Sequence, residues 1–397
     1  MKCRKSTLAI ALVLGPLMVG PAAAQSIPGP LPPEATVPER QSVLQRPRPD
    51  YDPLGARVGS FLIFPSVNLA ETYDSNVFVT QTDPKSDFLT TLLPTVQVRS
   101  DWNNHALNFL TAGEIKRYAK QVGENHSNFL ASSDGRVDIQ RDIFLTSGLS
   151  YRFAHEARTS PNAVVTEKNP IAYQVGDAYV AYVHEPGRLG FRLDGSIDYY
   201  SYNNGVTVSG ATIPETGRNR VEYAVSPTLT YEIVPGYHAF VRTRLNWREY
   251  MAQFDAGGFD RSSHGFEVDA GTAVALGPTM NGELFVGYFD QEYADSRLPT
   301  ASGPSFGGNL LWNVTELTSI RGSIARTVEE TIVASASSFL QTAVGLSAEH
   351  ELLQNVLLTA GLTYVVQDFQ GFSRTDSNYV AAAGARYLVT RNLNAGV

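Results

Sequence analysis

The sequence has a single cysteine among 397 residues, so it holds neither a disulfide scaffold nor a cysteine-ligated metal site. Charge is scarce: 18% of residues are Asp, Glu, Lys or Arg, against roughly 25% in ordinary soluble chains. Basic residues are outnumbered 31 to 39, which argues against a nucleic-acid binder. Past the N-terminus no apolar run reaches the roughly 20 residues of a membrane-crossing helix, which rules out a polytopic helical membrane protein. The seven histidines are dispersed, with no pair at metal-ligand spacing. What is abundant is glycine, at 33 residues, with 19 tyrosines and 19 phenylalanines, a profile that suits many strands joined by turns.

The N-terminus carries an address. Lys2, Arg4 and Lys5 form a positive region, Leu8 to Val19 an apolar stretch, and Ala22-Ala23-Ala24 a small-residue cleavage site before Gln25. Residues 1–24 are thus expected to be a signal peptide, and Cys3 leaves with it. The 28 basic residues that remain face 39 acidic ones, a net charge of −11. A lead follows over residues 25–57, studded with Pro28, Pro30, Pro32, Pro33, Pro38, Pro47, Pro49 and Pro53. Such a segment is expected to stay disordered and extended on the periplasmic side. Arg40, Arg46 and Arg48 are its only hints of attachment to cell wall or a partner.

From residue 60 onward the chain alternates. In Arg220 to Ile233, Val221, Tyr223, Val225, Leu229, Tyr231 and Ile233 fall on one face, and Arg220, Glu222, Ser226, Thr228 and Glu232 on the other. Side chains in a strand have period two, so this is a strand with one apolar and one polar face. The next segment repeats the device around Val241, Leu245 and Trp247, after the tight turn Val234-Pro235-Gly236. Further short turns are expected near Asp101, Arg141, Pro186, Pro278, Val314, His350 to Asn355 and Arg391, with longer polar connections between them, such as 157–170 and 203–219. Short turns at one end and long loops at the other are the asymmetry of a bacterial outer-membrane barrel.

Two soluble folds compete. A β-sandwich alternates too, but its strands average about five or six residues, and these run to a dozen or more. A β-propeller repeats at about 40 residues, yet no recurrent Trp-Asp or Gly-His signature is present. Tyr151, Phe153, Tyr199, Tyr202, Trp247, Tyr250 and Trp312 lie at segment ends, where interfacial aromatic girdles are expected. The expected fold is all-β, a transmembrane antiparallel up-and-down barrel of about 18 strands over residues 58–397. Its last strand, begun at Leu393, is incomplete or missing: either the topology closes with 16 strands and a short tail or, the reading favoured here, the barrel is C-terminally truncated and unable to close cleanly between its first and sixteenth strands.

The runs Val58-Gly59-Ser60-Phe61-Leu62-Ile63-Phe64-Pro65-Ser66, Tyr73-Asp74-Ser75-Asn76-Val77-Phe78 and Arg99-Ser100-Asp101-Trp102-Asn103-Asn104-His105 resemble the β-barrel porin, or outer-membrane β-barrel, family of Gram-negative bacteria. So do Gly257-Gly258-Phe259-Asp260-Arg261, and Ser302-Gly303-Pro304-Ser305-Phe306 with Trp312-Asn313-Val314-Thr315. The resemblance covers about residues 55 to 397. It implies an outer-membrane location and a barrel, and carries over no substrate and no catalytic residue.

With the polar face inward, a barrel this size is wide enough for an aqueous channel. Arg242, Arg244 and Arg248 project from one strand to one side, flanked by Glu222 on one neighbour and Glu267 with Asp269 on the other; Arg192 and Arg220 are further lining candidates. A basic ladder facing acidic rows creates a transverse field that orients polar solutes. The competing reading is a set of cross-strand ion pairs that brace or plug the wall. No enzyme is expected: His155 with Ser160, and Ser263 with His264, lack an oriented third partner, and no cofactor or metal site is indicated. The expected partners are outer-membrane lipid, lipopolysaccharide and the barrel-assembly machinery. The expected function is a porin-like passive channel for small polar solutes. The alternative is a polysaccharide-export barrel, or a structural or adhesion barrel whose lumen is closed by internal ion pairs.

Overall fold

The computed structural model describes residues 12–13, 41–164, 166–333 and 336–397. Most of the expected signal peptide and the first part of the lead lie outside these residues. Sixteen strands of 13 to 16 residues follow one another, each antiparallel to the next. They are β1 Phe61–Asp74, β2 Asp87–Ser100, β3 Ala106–Tyr118, β4 His126–Gln140, β5 Ile143–His155, β6 Ala172–His184, β7 Leu189–Tyr202 and β8 Arg220–Val234. The second half comprises β9 Tyr237–Tyr250, β10 Ser263–Leu276, β11 Met280–Tyr293, β12 Ala301–Thr315, β13 Thr318–Glu330, β14 Ser338–Leu353, β15 Val356–Phe369 and β16 Thr375–Thr390. A short β17, Leu393–Gly396, extends β16 at the turn end, and Ala56–Val58 pairs with β1 at the same end. The molecule is thus an all-β, transmembrane up-and-down barrel. Among the described residues no ladder joins β1 or Ala56–Val58 to β16 or β17.

Period-two alternation sets the wall. On β8, Val225, Leu229 and Tyr231 are 41%, 54% and 49% exposed, whereas Arg220 and Thr228 are 7% and 6% exposed. The apolar face therefore points outward and the polar face into the lumen. A one-residue slip would reverse both, so lipid outside pins the register. The turn between β8 and β9 needs a left-handed residue, and Gly236 supplies it with φ +85. The Ala275 carbonyl lies where a side chain would begin.

The structure corrects two expectations. Tyr202 and Tyr250 do not belong to an outer girdle: Tyr202 is 4% exposed, and the Tyr250 hydroxyl donates to Glu330 across the lumen at 2.7 Å. Tyr151, Tyr199, Trp247 and Trp312 do face outward. In the described part of the lead, Val43–Gln45 form a 3-10 turn and Val43 is wholly buried. Proline spacing gave no sign of this, because the order comes from polar groups on the barrel wall.

The wall is not uniform. β12 and β13 pair only from Gly307 and Ala325 to the turn, whereas β13 and β14 stay paired out to Glu330 and Ser338. The loop end of the β13–β14 hairpin leaves the wall and leans over the lumen, where Val328 and Leu340 pack with Phe289 and Ala301.

Candidate functional site

Each expected ladder residue sits on the inward face of β7 to β10. Arg248 is directly opposite Glu222 on β8, while Arg244 and Arg242 are opposite Glu267 and Asp269 on β10. Opposite residues in antiparallel strands bring their Cβ atoms to about 5 Å, so long side chains meet. Arg242 approaches Asp269 and Glu283, each at 3.5 Å, and rests on the Phe285 ring 4.6 Å from its centroid. Arg220 donates to Glu222 at 2.7 Å, and Arg248 lies 3.7 Å from the same carboxylate. Arg192 pairs with Asp194 on its own strand. Ser305 on β12 donates to both Glu267 and Asp269.

Beside the ladder runs an acidic row. Asp177 on β6 is opposite Asp198 on β7, which is opposite Glu222. Like charges in directly opposed positions disfavour one another. Ser150 donates to Asp177, and Arg220 and Arg248 answer Glu222. The sequence placed Glu222 on the polar face, but the row appears only once the register is known.

The loop end is filled by a plug. Connections 156–171 and 203–219 are stitched by the Glu167 to Thr207 bridge and by Lys168 N–H donating to the Val206 carbonyl. Two arginines, Arg218 buried and Arg158 partly so, hold them down. Arg158 bonds Glu124 at 2.6 Å and Glu167 at 2.7 Å, and Arg218 bonds Glu156 at 2.9 Å and Glu215 at 2.8 Å. Four carboxylates against two guanidiniums leave an excess of negative charge. Burial, reinforced by Glu156, Glu124 and Glu215, pushes the Glu167 carboxyl up to about 7 although Arg158 pulls it down. Burial also raises Glu215 against the opposing pull of Arg218.

The leaning hairpin completes the plug. Asn162 donates to the Glu330 carbonyl and accepts from the Thr331 hydroxyl. Arg261, 2% exposed, donates to the carbonyls of Ala336 and Val333. Between these segments lies a cavity of about 220 Å³ lined by Asn162, Ile213, Arg218, Arg220, Tyr250 and Glu330. Sequence reasoning missed these loop residues. Their only signal was the number of carboxylates and arginines in connections that solvated loops could carry equally well.

The hydrolase pairings do not form: Ser160 donates to Glu156, His155 contacts Asn128, and Ser263 accepts from Gln291. Among the described residues, no group of three His, Cys, Asp or Glu is arranged to hold a metal ion.

A family model described as Putative beta-barrel porin 2 matches residues 48–397. None of the curated proteins matches the sequence. Among solved structures, the chain is similar to the siderophore receptor PiuA from Acinetobacter baumannii at 11% identity, covering 86% of this chain and 67% of that one, with a TM-score of 0.43. It is likewise similar to a mutant of the ferric enterobactin receptor PfeA from Pseudomonas aeruginosa at 11% identity, covering 87% and 70%, with a TM-score of 0.45.

Proposed function

From the premise that the chain belongs to the Putative beta-barrel porin 2 family, we propose that it is a passive outer-membrane channel for small polar solutes, with its mouth held closed at rest. In this orientation the short turns are periplasmic and the plugged loop end faces outside. The carrying observation is the ladder: three arginines on one strand, met at matching registers by carboxylates of both neighbours. Such a wall orients dipolar solutes while its paired charges limit trapping of any one ion. The role is transport without catalysis. The outward apolar band contacts lipid and lipopolysaccharide, and insertion falls to the barrel-assembly machinery.

Swelling of proteoliposomes in sugars of graded size tests this reading. Once the plug is loosened by substitution, entry of small sugars with exclusion of larger ones is expected. No swelling, even after the plug is loosened by substitution, would sink it. The second reading, a barrel closed by its own ion pairs, is favoured by the contact of Arg248 with Glu330, and it predicts that absence of swelling.

A further inference from the structure

The lead enters the turn end of the lumen and is held there by groups on the wall. Ser319 on β13 and Glu349 on β14 are opposite each other, and both face inward. Val43 N–H donates to the Ser319 hydroxyl at 2.9 Å, and Leu44 N–H donates to Glu349 Oε2 at 2.9 Å. Arg48 donates to Glu351 at 2.7 Å and to the Val43 carbonyl at 2.8 Å. Arg46 reaches the Glu316 carbonyl, and Asn313 donates to the Gln41 carbonyl at 3.4 Å. Within the segment, Gln45 accepts from the Ser42 N–H, so the turn that presents these donors is itself fixed. Farther on, Arg391 donates to the Pro49 carbonyl, and Ala56–Val58 joins the edge of β1.

These contacts have the character of a binding site. Two carboxylates and a hydroxyl receive two backbone N–H groups and one guanidinium from a short linear segment, and Ser42 and Val43 are 1% and 0% exposed. A carboxylate accepting an N–H or a guanidinium makes a charge-assisted bond, roughly twice as strong as a neutral one. An unfilled site would leave Glu349 and Glu351 on the lumen wall without these donors.

We propose that the periplasmic rim over β13 and β14 is a peptide-binding site for a linear segment with an arginine five residues after a buried valine, and that residues 41–48 occupy it as a tethered stopper. The segment narrows the periplasmic mouth independently of the plug at the other end. It also ties β12 to β14 to β1 from inside the barrel. Release of the stopper exposes the site to the same peptide in trans.

The full chain provides the test. In a Val43→Cys, Ser319→Cys protein, oxidation is expected to form a cross-link between the two introduced thiols. In an Arg48→Glu protein the stopper is released, and a fluorescent peptide of residues 41–52 binds the detergent-solubilised barrel. Loss of the charge-assisted bond makes that peptide bind an Arg48→Glu, Glu351→Gln protein at least about ten-fold more weakly. The native chain, with its stopper in place, excludes the peptide to a similar degree. Failure of the cross-link overturns the proposal. So does peptide binding that is equal in native and Arg48→Glu proteins, indifferent to Glu351→Gln, or matched by a scrambled peptide. None of these measurements uses solute flux, so they stand apart from the channel reading.

Discussion

Arg248 on β9 and Glu330 at the tip of β13 are four strands apart along the wall, yet their side chains form an ion pair, with the Tyr250 hydroxyl on the other Glu330 oxygen at 2.7 Å. The Arg248 guanidinium also donates to the Val328 carbonyl at 3.1 Å. Such a contact forms only because the β13–β14 hairpin leaves the barrel wall and crosses the mouth.

Glu330→Gln keeps the shape and removes the charge. Hydrogen bonds to charged groups contribute about 1.5–3 kcal/mol, so the latch equilibrium is expected to move toward open by about ten-fold or more. Proteoliposome swelling rates should rise accordingly, with unchanged size exclusion if the ladder below sets the bore. A rate equal to that of the native protein would show that the hairpin is not the barrier.

The plug has a pH dependence set by Glu167. Its carboxyl, raised to about 7 within the fold, binds a proton more tightly there than in a solvated loop. The resulting stabilisation is fully present below the ordinary carboxylate range and is lost as pH rises through about 7. Limited proteolysis of segment 157–170 should therefore quicken between pH 5 and pH 8. Glu167→Gln is expected to flatten that dependence, and a slope that persists in this variant would assign it elsewhere.

Arg218 is 6% exposed and sits between Glu156 and Glu215, over the Tyr202 ring. Arg218→Ala would take the guanidinium from the buried Glu156 and Glu215 carboxylates, a loss of about 3–5 kcal/mol when one partner of such a pair is removed. Connections 156–171 and 203–219 should then become protease-sensitive while heat-modifiable migration of the barrel persists. An undisturbed loop pattern would mean that water replaces the guanidinium.

Arg242→Ala with Arg244→Ala removes two charges from one side of the lumen and leaves Glu267, Asp269 and Glu283 in place. In planar bilayers the reversal potential under a salt gradient should shift toward cation preference. An unchanged potential in a conducting pore would leave these arginines only a bracing role.

Backbone spacing makes a prediction of its own. A side chain at Gly282 on β11 would strike the Asn309 carbonyl of β12, whereas one at Gly322 on β13 would meet open space. Gly282→Ala is expected to lower the yield of heat-modifiable barrel, and Gly322→Ala to leave it unaltered.

The barrel wall could be read from the sequence because its determinants are local. Val225, Leu229 and Tyr231 alternate with Glu222, Ser226 and Thr228, and two-residue periodicity against lipid admits one orientation. Turn residues such as Gly236 mark the ends. The arginines of β9 were legible for the same reason, since parity puts Arg242, Arg244 and Arg248 on one side. The partners that span the lumen were not. Glu330 meets Arg248, Asn162 meets Thr331, and Val43 meets Ser319 through separations of 82, 169 and 276 residues, and no periodic pattern encodes such distances. The lead misled in a further way. Its prolines describe an extended chain correctly, but an extended chain with free N–H groups is also what a row of inward carboxylates can hold.

The early end of the ladder between β12 and β13 has a mechanical consequence. Hydrocarbon tolerates no lasting unpaired backbone, so the gap left by the leaning hairpin is a compliant arc of the cylinder, as is the seam between β1 and β16, which no ladder closes among the described residues. Because the leaning hairpin and the loosely paired arc share the same residues, returning the hairpin to the sheet would both withdraw one of the segments over the lumen and enlarge the girth of the barrel. Lateral pressure in the surrounding membrane would then act directly on how readily the mouth opens.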